Sequence, residues 1–147
     1  MKYMQSLIIS IFILVLLLLM AGCGSSAPQT TTINTSTASD EISFSADIQP
    51  LFNTYCVVCH QGTSASEGLN LESGISYQNL VNRPSIQSSL ARVSPGDTQN
   101  SYLWHKIDGT QGTVGGSGAR MPYNSPRLDQ ANLNLMKQWI GAGAKDN

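Results

Sequence analysis

The sequence feature that most constrains this chain is a five-residue motif near its middle. Residues 56–60 read Cys-Val-Val-Cys-His, and CxxCH is the spacing at which haem is attached covalently. Two intervening residues let one helical turn present both thiols to the two vinyl groups of one haem edge. The adjacent histidine then reaches the iron, for which an imidazole nitrogen is a standard axial ligand. The motif predicts a single haem c joined to Cys56 and Cys59, with His60 as the proximal ligand.

Two other chemistries use a CxxC pair, and the rest of the sequence favours neither. A zinc site needs further ligands, yet the only other histidine is His105 and the only other cysteine is Cys23. A thioredoxin-like redox pair belongs in a βαβ frame, whereas the residues around this motif predict helix. The odd total of three cysteines also argues against a simple disulfide framework.

A short helix is predicted to lead directly into the cysteines. Its apolar positions recur at helical spacing and define one face, made of Phe44, Ile48, Leu51, Phe52 and Tyr55. Ser45 is suited to cap the start, and Asp47 lies in the first turn, where the helix dipole favours an anion. Pro50 lies near that turn and can shift the start of the helix further along the chain.

A six-coordinate iron needs a second axial ligand, and Met121 is the favoured candidate. It follows a loose segment, residues 109–120, that holds five glycines and can swing across one face of a haem. Pro122 comes directly after it and fixes the chain direction there. Met136 lies inside a predicted helix and is interpreted as core packing.

His105 is the alternative distal ligand. It belongs to a helix predicted over residues 101–107, with Asp97 near its start. At about 100° per residue, His105 projects about 200° away from Leu103, which shares the apolar face of this helix with Ile107. The pattern therefore predicts a histidine on the protein surface.

A longer helix is predicted near the C-terminus, beginning after Asp129, a good N-cap. Leu128 and Leu133 stand at the two positions of a hydrophobic staple. The buried stripe is predicted to contain Leu133, Met136 and Ile140, with Leu135 and Trp139 beside them. Gly141 or Gly143 can end the helix.

The N-terminus reads as an export signal. Lys2 is the only charge in the first 39 residues, and residues 7–20 are apolar at every position but Ser10. Met-Ala-Gly-Cys at residues 20–23 resembles a bacterial lipobox, which implies a signal peptide over residues 1–22 and acylation of Cys23. The alternative is an uncleaved signal anchor. Both interpretations place the rest of the chain on a membrane, outside the cytoplasm, and two or more acyl chains would anchor it stably.

Composition divides the remainder into a linker and one domain. Residues 23–40 are rich in Ser and Thr and show no periodicity, which predicts a disordered tether. The folded domain is expected over residues 41–147. Eight Lys and Arg against nine Asp and Glu leave no basic patch for nucleic acid. Aromatic residues are only 7% of the chain, so a large buried cofactor would help to fill the core.

Taken in order along the chain, these pieces resemble a class I cytochrome c domain. The resemblance covers residues 44–144. It is carried by the CxxCH motif and by Ile-Gln-Pro-Leu-Phe at 48–52, Pro-Gly-Asp at 95–97, Ser-Tyr-Leu at 101–103, Arg-Met-Pro at 120–122 and Trp-Ile-Gly-Ala-Gly-Ala at 139–144. These stretches are similar to those of many bacterial lipoprotein and multidomain cytochromes.

The resemblance implies an all-α, cytochrome c-like fold of three to five helices around one covalent haem, with the N- and C-terminal helices crossing. It implies thioethers at Cys56 and Cys59, proximal ligation by His60 and distal ligation by Met121. The expected function is one-electron transfer between a donor and an acceptor protein, without enzymatic activity. The domain is not rich in lysine, so docking through a ring of lysines is not implied.

Two other functions are compatible with a c-type haem. One is a haem enzyme such as a peroxidase, and the other is a module that binds or senses a gas; both need an open distal site. A dihaem peroxidase would require a second CxxCH motif, and the sequence has one. The ligand on the distal side of the iron therefore separates these functions from electron transfer.

Overall fold

The computed structural model describes residues 41–147, and all the regular secondary structure in this range is helical. It comprises four α-helices: α1 (Gln49–Tyr55), α2 (Ser76–Leu80), α3 (Tyr102–Asp108) and α4 (Gln130–Gly141). A π-helical turn, Phe44–Ile48, leads into α1, and two 3-10 turns, Ser66–Gly68 and Gln111–Val114, lie in the connections. Residues 41–147 contain no β-strand, only three isolated bridges between positions 81 and 101. This agrees with the predicted all-α class.

The predicted signal peptide (1–22), the acylated Cys23 and the linker (23–40) lie outside the described residues. Of the helices that are described, none combines the length and the apolar character needed to cross a bilayer.

The first helical segment begins two residues earlier than predicted. The Ser43 hydroxyl accepts a hydrogen bond from the Ala46 amide at 3.2 Å, and the Ser43 amide donates to the Asp47 carboxylate at 2.8 Å. This reciprocal pair resembles a capping box. The prediction that Ser45 caps the helix is wrong, because Ser43 has the extended backbone a cap requires, whereas Ser45 lies inside the π-helical turn. Asp47 does lie in the first turn, as predicted.

An aromatic cluster joins the two ends of the domain. The ring of Phe44 packs 5.4 Å from that of Trp139, measured between centroids, and makes edge contacts with Phe52 and Tyr77 at 6.1 and 5.2 Å. Such pairs each contribute about 0.5–1.5 kcal/mol beyond the area they bury. The N-terminal π-helical turn is therefore packed directly against α4, and it also contacts α1 and α2.

Both ends of α4 follow the sequence prediction. The Asp129 carboxylate accepts a hydrogen bond from the Asn132 amide at 2.8 Å, and Leu128 and Leu133 are buried. The helix ends in a Schellman motif, in which Gly143, at φ +103°, donates to Ile140 and the next amide donates to Trp139. The buried positions of α4 are Leu133, Met136, Trp139 and Ile140, so Met136 is core, as predicted.

A buried glutamine holds α1 against the chain that follows the motif. The Gln49 side chain donates to the Leu71 carbonyl at 3.0 Å and to the Asn53 side chain at 2.8 Å, and it accepts from the Ser76 hydroxyl. Gln49 is only 7% exposed. Buried polar groups need partners of this kind, since each group left unpaired costs about 1–3 kcal/mol.

We therefore expect Gln49→Met to lower the free energy of unfolding by about 1–3 kcal/mol, because the Ser76 hydroxyl and the Leu71 carbonyl lose their partner. Chemical denaturation of the purified protein measures the change. The matched control is Gln138→Met on the exposed side of α4, which should change stability by less than about 0.5 kcal/mol. Equal losses in the two variants would contradict a structural role for the Gln49 amide.

Candidate functional site

One cavity brings together the four residues that were predicted to attach haem or to bind its iron. It has a volume of about 440 Å³, within the range of about 300–1,000 Å³ of small-molecule and cofactor sites. Cys56, Cys59, His60 and Met121 all line it. The motif and Met121 therefore face the same space, although His60 and Met121 are 61 residues apart in the sequence.

The cysteines lie on a single turn that continues from α1. The Cys56 amide donates to the Phe52 carbonyl at 2.9 Å, and the Cys59 and His60 amides both donate back to the Cys56 carbonyl at 3.1 and 3.0 Å. A helix running into the motif, as predicted, therefore places both thiols on one cavity wall. The two cysteines are not bonded to each other.

The protonation of Cys56 argues against a redox-active dithiol. Burial, and then the charge of the neighbouring Cys59, raise the pKa of Cys56 to about 12. Reactive CxxC pairs instead depend on a thiolate stabilised by a lowered pKa. At neutral pH the Cys56 side chain is thus a protonated thiol and not the thiolate on which disulfide exchange depends.

The ring of His60 is oriented by backbone carbonyls. Its Nδ1 lies 3.0 Å from the Leu69 oxygen and 3.1 Å from the Ser66 oxygen. Because a carbonyl can only accept, Nδ1 carries the ring proton and Nε2 keeps its lone pair. This is the arrangement by which metal-binding histidines are usually fixed in one tautomer. Nε2 is therefore the ring atom suited to bind iron.

The loop that supplies those carbonyls is itself tied to the motif. The Leu71 amide donates to the His60 carbonyl at 2.8 Å. The Glu72 carboxylate accepts from the Gly62 amide at 2.9 Å and from the Asn70 side chain at 2.8 Å, and these two bonds lower the pKa of Glu72. The acceptors of His60 thus come from a loop closed by its own hydrogen bonds.

Met121 is fixed by its backbone to the end of α3. Its amide donates to the Lys106 carbonyl at 2.8 Å, and its own carbonyl accepts from the Arg120 guanidinium at 3.3 Å. Residues 109–120 were predicted to be a loose segment. They include a 3-10 turn, and the Tyr102 hydroxyl bonds to both the amide and the carbonyl of Ser117.

His105 is not on the surface, so that prediction is wrong. It is 4% exposed and does not line the cavity. Its Nε2 lies 2.8 Å from the Gln99 carbonyl, and its Nδ1 lies 2.8 Å from the Thr110 hydroxyl. The prediction assumed one buried face, whereas α3 is buried on several sides, with Trp104 and Ile107 buried as well. The structure therefore brings Met121, and not His105, to the cavity.

The cavity walls are largely apolar, and its mouth is apolar too. The walls include Leu69, Leu71, Leu80, Leu103 and Ile107. Three lining side chains are strongly exposed and lie at the mouth: Val58, Ile86 and Tyr123. Largely apolar walls of this kind are typical of small-molecule and cofactor sites.

Two cationic side chains in the lining were missed by the sequence analysis. Arg92 donates to three backbone carbonyls, those of Asn79, Glu67 and Gly68, at 2.8–3.3 Å. Lys106 is 7% exposed and burial lowers its pKa. The one available signal was the spacing of Tyr102 and Lys106, which places them on the same face of α3. Arg92 lies outside any helix and gave no signal.

The residues around the cavity fit a covalently attached haem. Two thiols on one turn, an imidazole with its Nε2 free, a thioether and apolar walls are the groups such a cofactor requires. A zinc site fits less well, because residues 41–147 contain no cluster of three or more His, Cys, Asp or Glu side chains. Comparisons of the chain with protein-family models, with curated proteins and with solved structures find no match.

We expect Gly116→Ala to disturb the segment that positions Met121. A methyl group at position 116 would collide with the Tyr102 ring and would lie 2.8 Å from the Gln111 carbonyl. Overpacking of this kind costs about 1–3 kcal/mol. Gly112→Ala is the matched control, since nothing lies within 4 Å of its added methyl group. Denaturant unfolding of both variants measures the difference, and equal midpoints would show that the Gly116 contact has no role.

Proposed function

We propose that this protein is a one-electron carrier with a single covalently attached haem c and a class I cytochrome c fold. The observation that carries the proposal is the meeting of the CxxCH turn, His60 and Met121 on one apolar cavity. The contact between the N-terminal helical turn and α4, through Phe44 and Trp139, also supports this fold.

The four residues have separate roles in this proposal. Cys56 and Cys59 hold the cofactor by thioether bonds, and His60 binds the iron through Nε2 while the Leu69 carbonyl keeps its ring in place. Met121, which lines the same cavity, would supply its thioether to the iron. When bound, haem c supplies reversible one-electron chemistry at its iron, and Met/His ligation raises its reduction potential.

Electron transfer needs an accessible edge but no substrate pocket. The apolar walls keep water from the cofactor, and Val58, Ile86 and Tyr123 surround the mouth, where a donor or an acceptor protein can approach. Acylation of Cys23 would tether the domain to a membrane outside the cytoplasm. Residues 24–40 would then act as a flexible linker between the membrane anchor and the domain.

The first test is spectroscopic and uses the mature protein produced with a c-type haem maturation system. The pyridine-haem spectrum should show one haem c per chain, and a redox titration should fit a single one-electron step. Replacing both Cys56 and Cys59 with Ala should release the haem on acid–acetone extraction. Haem absent from the wild type, or retained by the double variant after extraction, would overturn the proposal.

The second test concerns the distal ligand. Met121→Leu should abolish the weak long-wavelength charge-transfer band of Met-ligated ferric haem and lower the reduction potential, because the thioether is lost. Met136→Leu, a core substitution on α4, is the matched control and should keep the band. A wild-type protein that lacks this band and binds carbon monoxide readily would instead indicate an open distal site, as in a haem enzyme or a gas-binding module.

A further inference from the structure

A buried lysine lies on the wall of the cavity without a carboxylate partner. The Lys106 side chain lines the cavity and is 7% exposed. Lysine is almost never this buried unless it is paired. In the described part of the chain its ammonium has one hydrogen-bond partner, the Ser117 carbonyl at 3.2 Å, although it carries three donors. Neither ion pair found among residues 41–147 includes it.

The ammonium is held in place by the groups around it. It lies 5.9 Å from the centre of the Tyr102 ring, and an added methyl group on Gly118 would come within 3.1 Å of it. The same methyl group would lie 3.4 Å from the side-chain amide of Gln87. Gln87 and Gly118 both line the cavity. The ammonium therefore lies close to other residues that line the cavity.

Arg92, the other cation in the lining, is already engaged. Its guanidinium donates to three backbone carbonyls and so joins the loop at residues 67–68 to the chain after α2. Glu67, which lines the same cavity, acts electrostatically on Lys106, but it is exposed and forms no ion pair with the ammonium. Arg92 thus uses three of its five N–H donors, whereas Lys106 uses one of three and is the more buried of the two cations.

We propose that the Lys106 ammonium binds a propionate carboxylate of the covalently attached haem and thereby raises its reduction potential. The inference rests on the proposed function. Haem carries two propionates on the edge away from its vinyl groups, so attachment at residues 56–60 directs the carboxylates to other chain segments. The neighbours of the Lys106 ammonium, which are Gln87, Tyr102, Ser117 and Gly118, all lie outside the motif turn.

The sign of the effect follows from the charges. A positive charge close to the haem favours the reduced state, which carries one positive charge fewer than the oxidised state. Removing it with Lys106→Met should shift the equilibrium between the two states by about tenfold toward oxidation, which is about 59 mV for one electron. Lys106→Arg keeps the charge, so its reduction potential should stay close to that of the wild type.

The experiment is a redox titration of the purified holoprotein in these variants. Lys137→Met is the matched control, because it removes the same charge from an exposed side chain of α4 that does not line the cavity. It should leave the potential nearly unchanged. Equal reduction potentials in Lys106→Met and Lys137→Met would overturn the inference. A decrease in Lys106→Arg as large as that in Lys106→Met would also overturn it.

A measurement on the wild type covers the case in which Lys106→Met fails to fold. Residues 41–147 contain three lysines, at positions 106, 137 and 145, so selective ¹⁵N labelling of lysine gives three side-chain signals. One of them should shift strongly between the oxidised and reduced protein and exchange its protons slowly. Three signals that do not respond to redox state would overturn the inference. The pyridine-haem spectrum of the same sample separates this failure from failure of the proposed function, because it shows independently whether haem c is attached.

Discussion

The hydrogen bond between Nδ1 of His60 and the Leu69 carbonyl is the interaction on which the organisation of the site depends. It assigns the ring proton to Nδ1 and leaves Nε2 as the only nitrogen that can bind a metal. The bond in turn requires the loop after the motif to fold back, and the Leu71 amide holds it there by donating to the His60 carbonyl. The Leu71 carbonyl also accepts a hydrogen bond from the side chain of Gln49 in α1, the helix that leads into the cysteines. The motif turn, its helix and its following loop are therefore one hydrogen-bonded unit.

Features governed by neighbours close in sequence could be predicted. The Asp129 cap, the glycine stop after α4 and the helix entering the cysteines each depend on contacts within a few residues, and each was found. The Ser43 cap was missed because Ser45 has the same side chain, and only the backbone conformation distinguishes the two. Local spacing does not encode that backbone conformation.

Features that depend on packing from several sides could not be predicted. A prediction from helical periodicity assumes that one face of the helix is buried and the other is exposed to solvent. For this reason His105 was expected at the surface. In the structure, α3 is seven residues long and is buried at Tyr102, Trp104, His105, Lys106 and Ile107. His105 satisfies both ring nitrogens within the protein. Its neighbour Lys106 does not satisfy its ammonium, although the two residues are adjacent and about equally buried.

That contrast bears on how the cavity and its ligand would stabilise each other. A buried ammonium with one neutral acceptor is costly, because desolvation disfavours the charged form. The cost falls on the same segment that positions Met121, since the Lys106 carbonyl accepts the Met121 amide and its ammonium binds Ser117. A carboxylate brought in by the cofactor would relieve that cost and stabilise this segment at the same time. Attachment at Cys56 and Cys59 would then organise the distal side of the site as well as the proximal side.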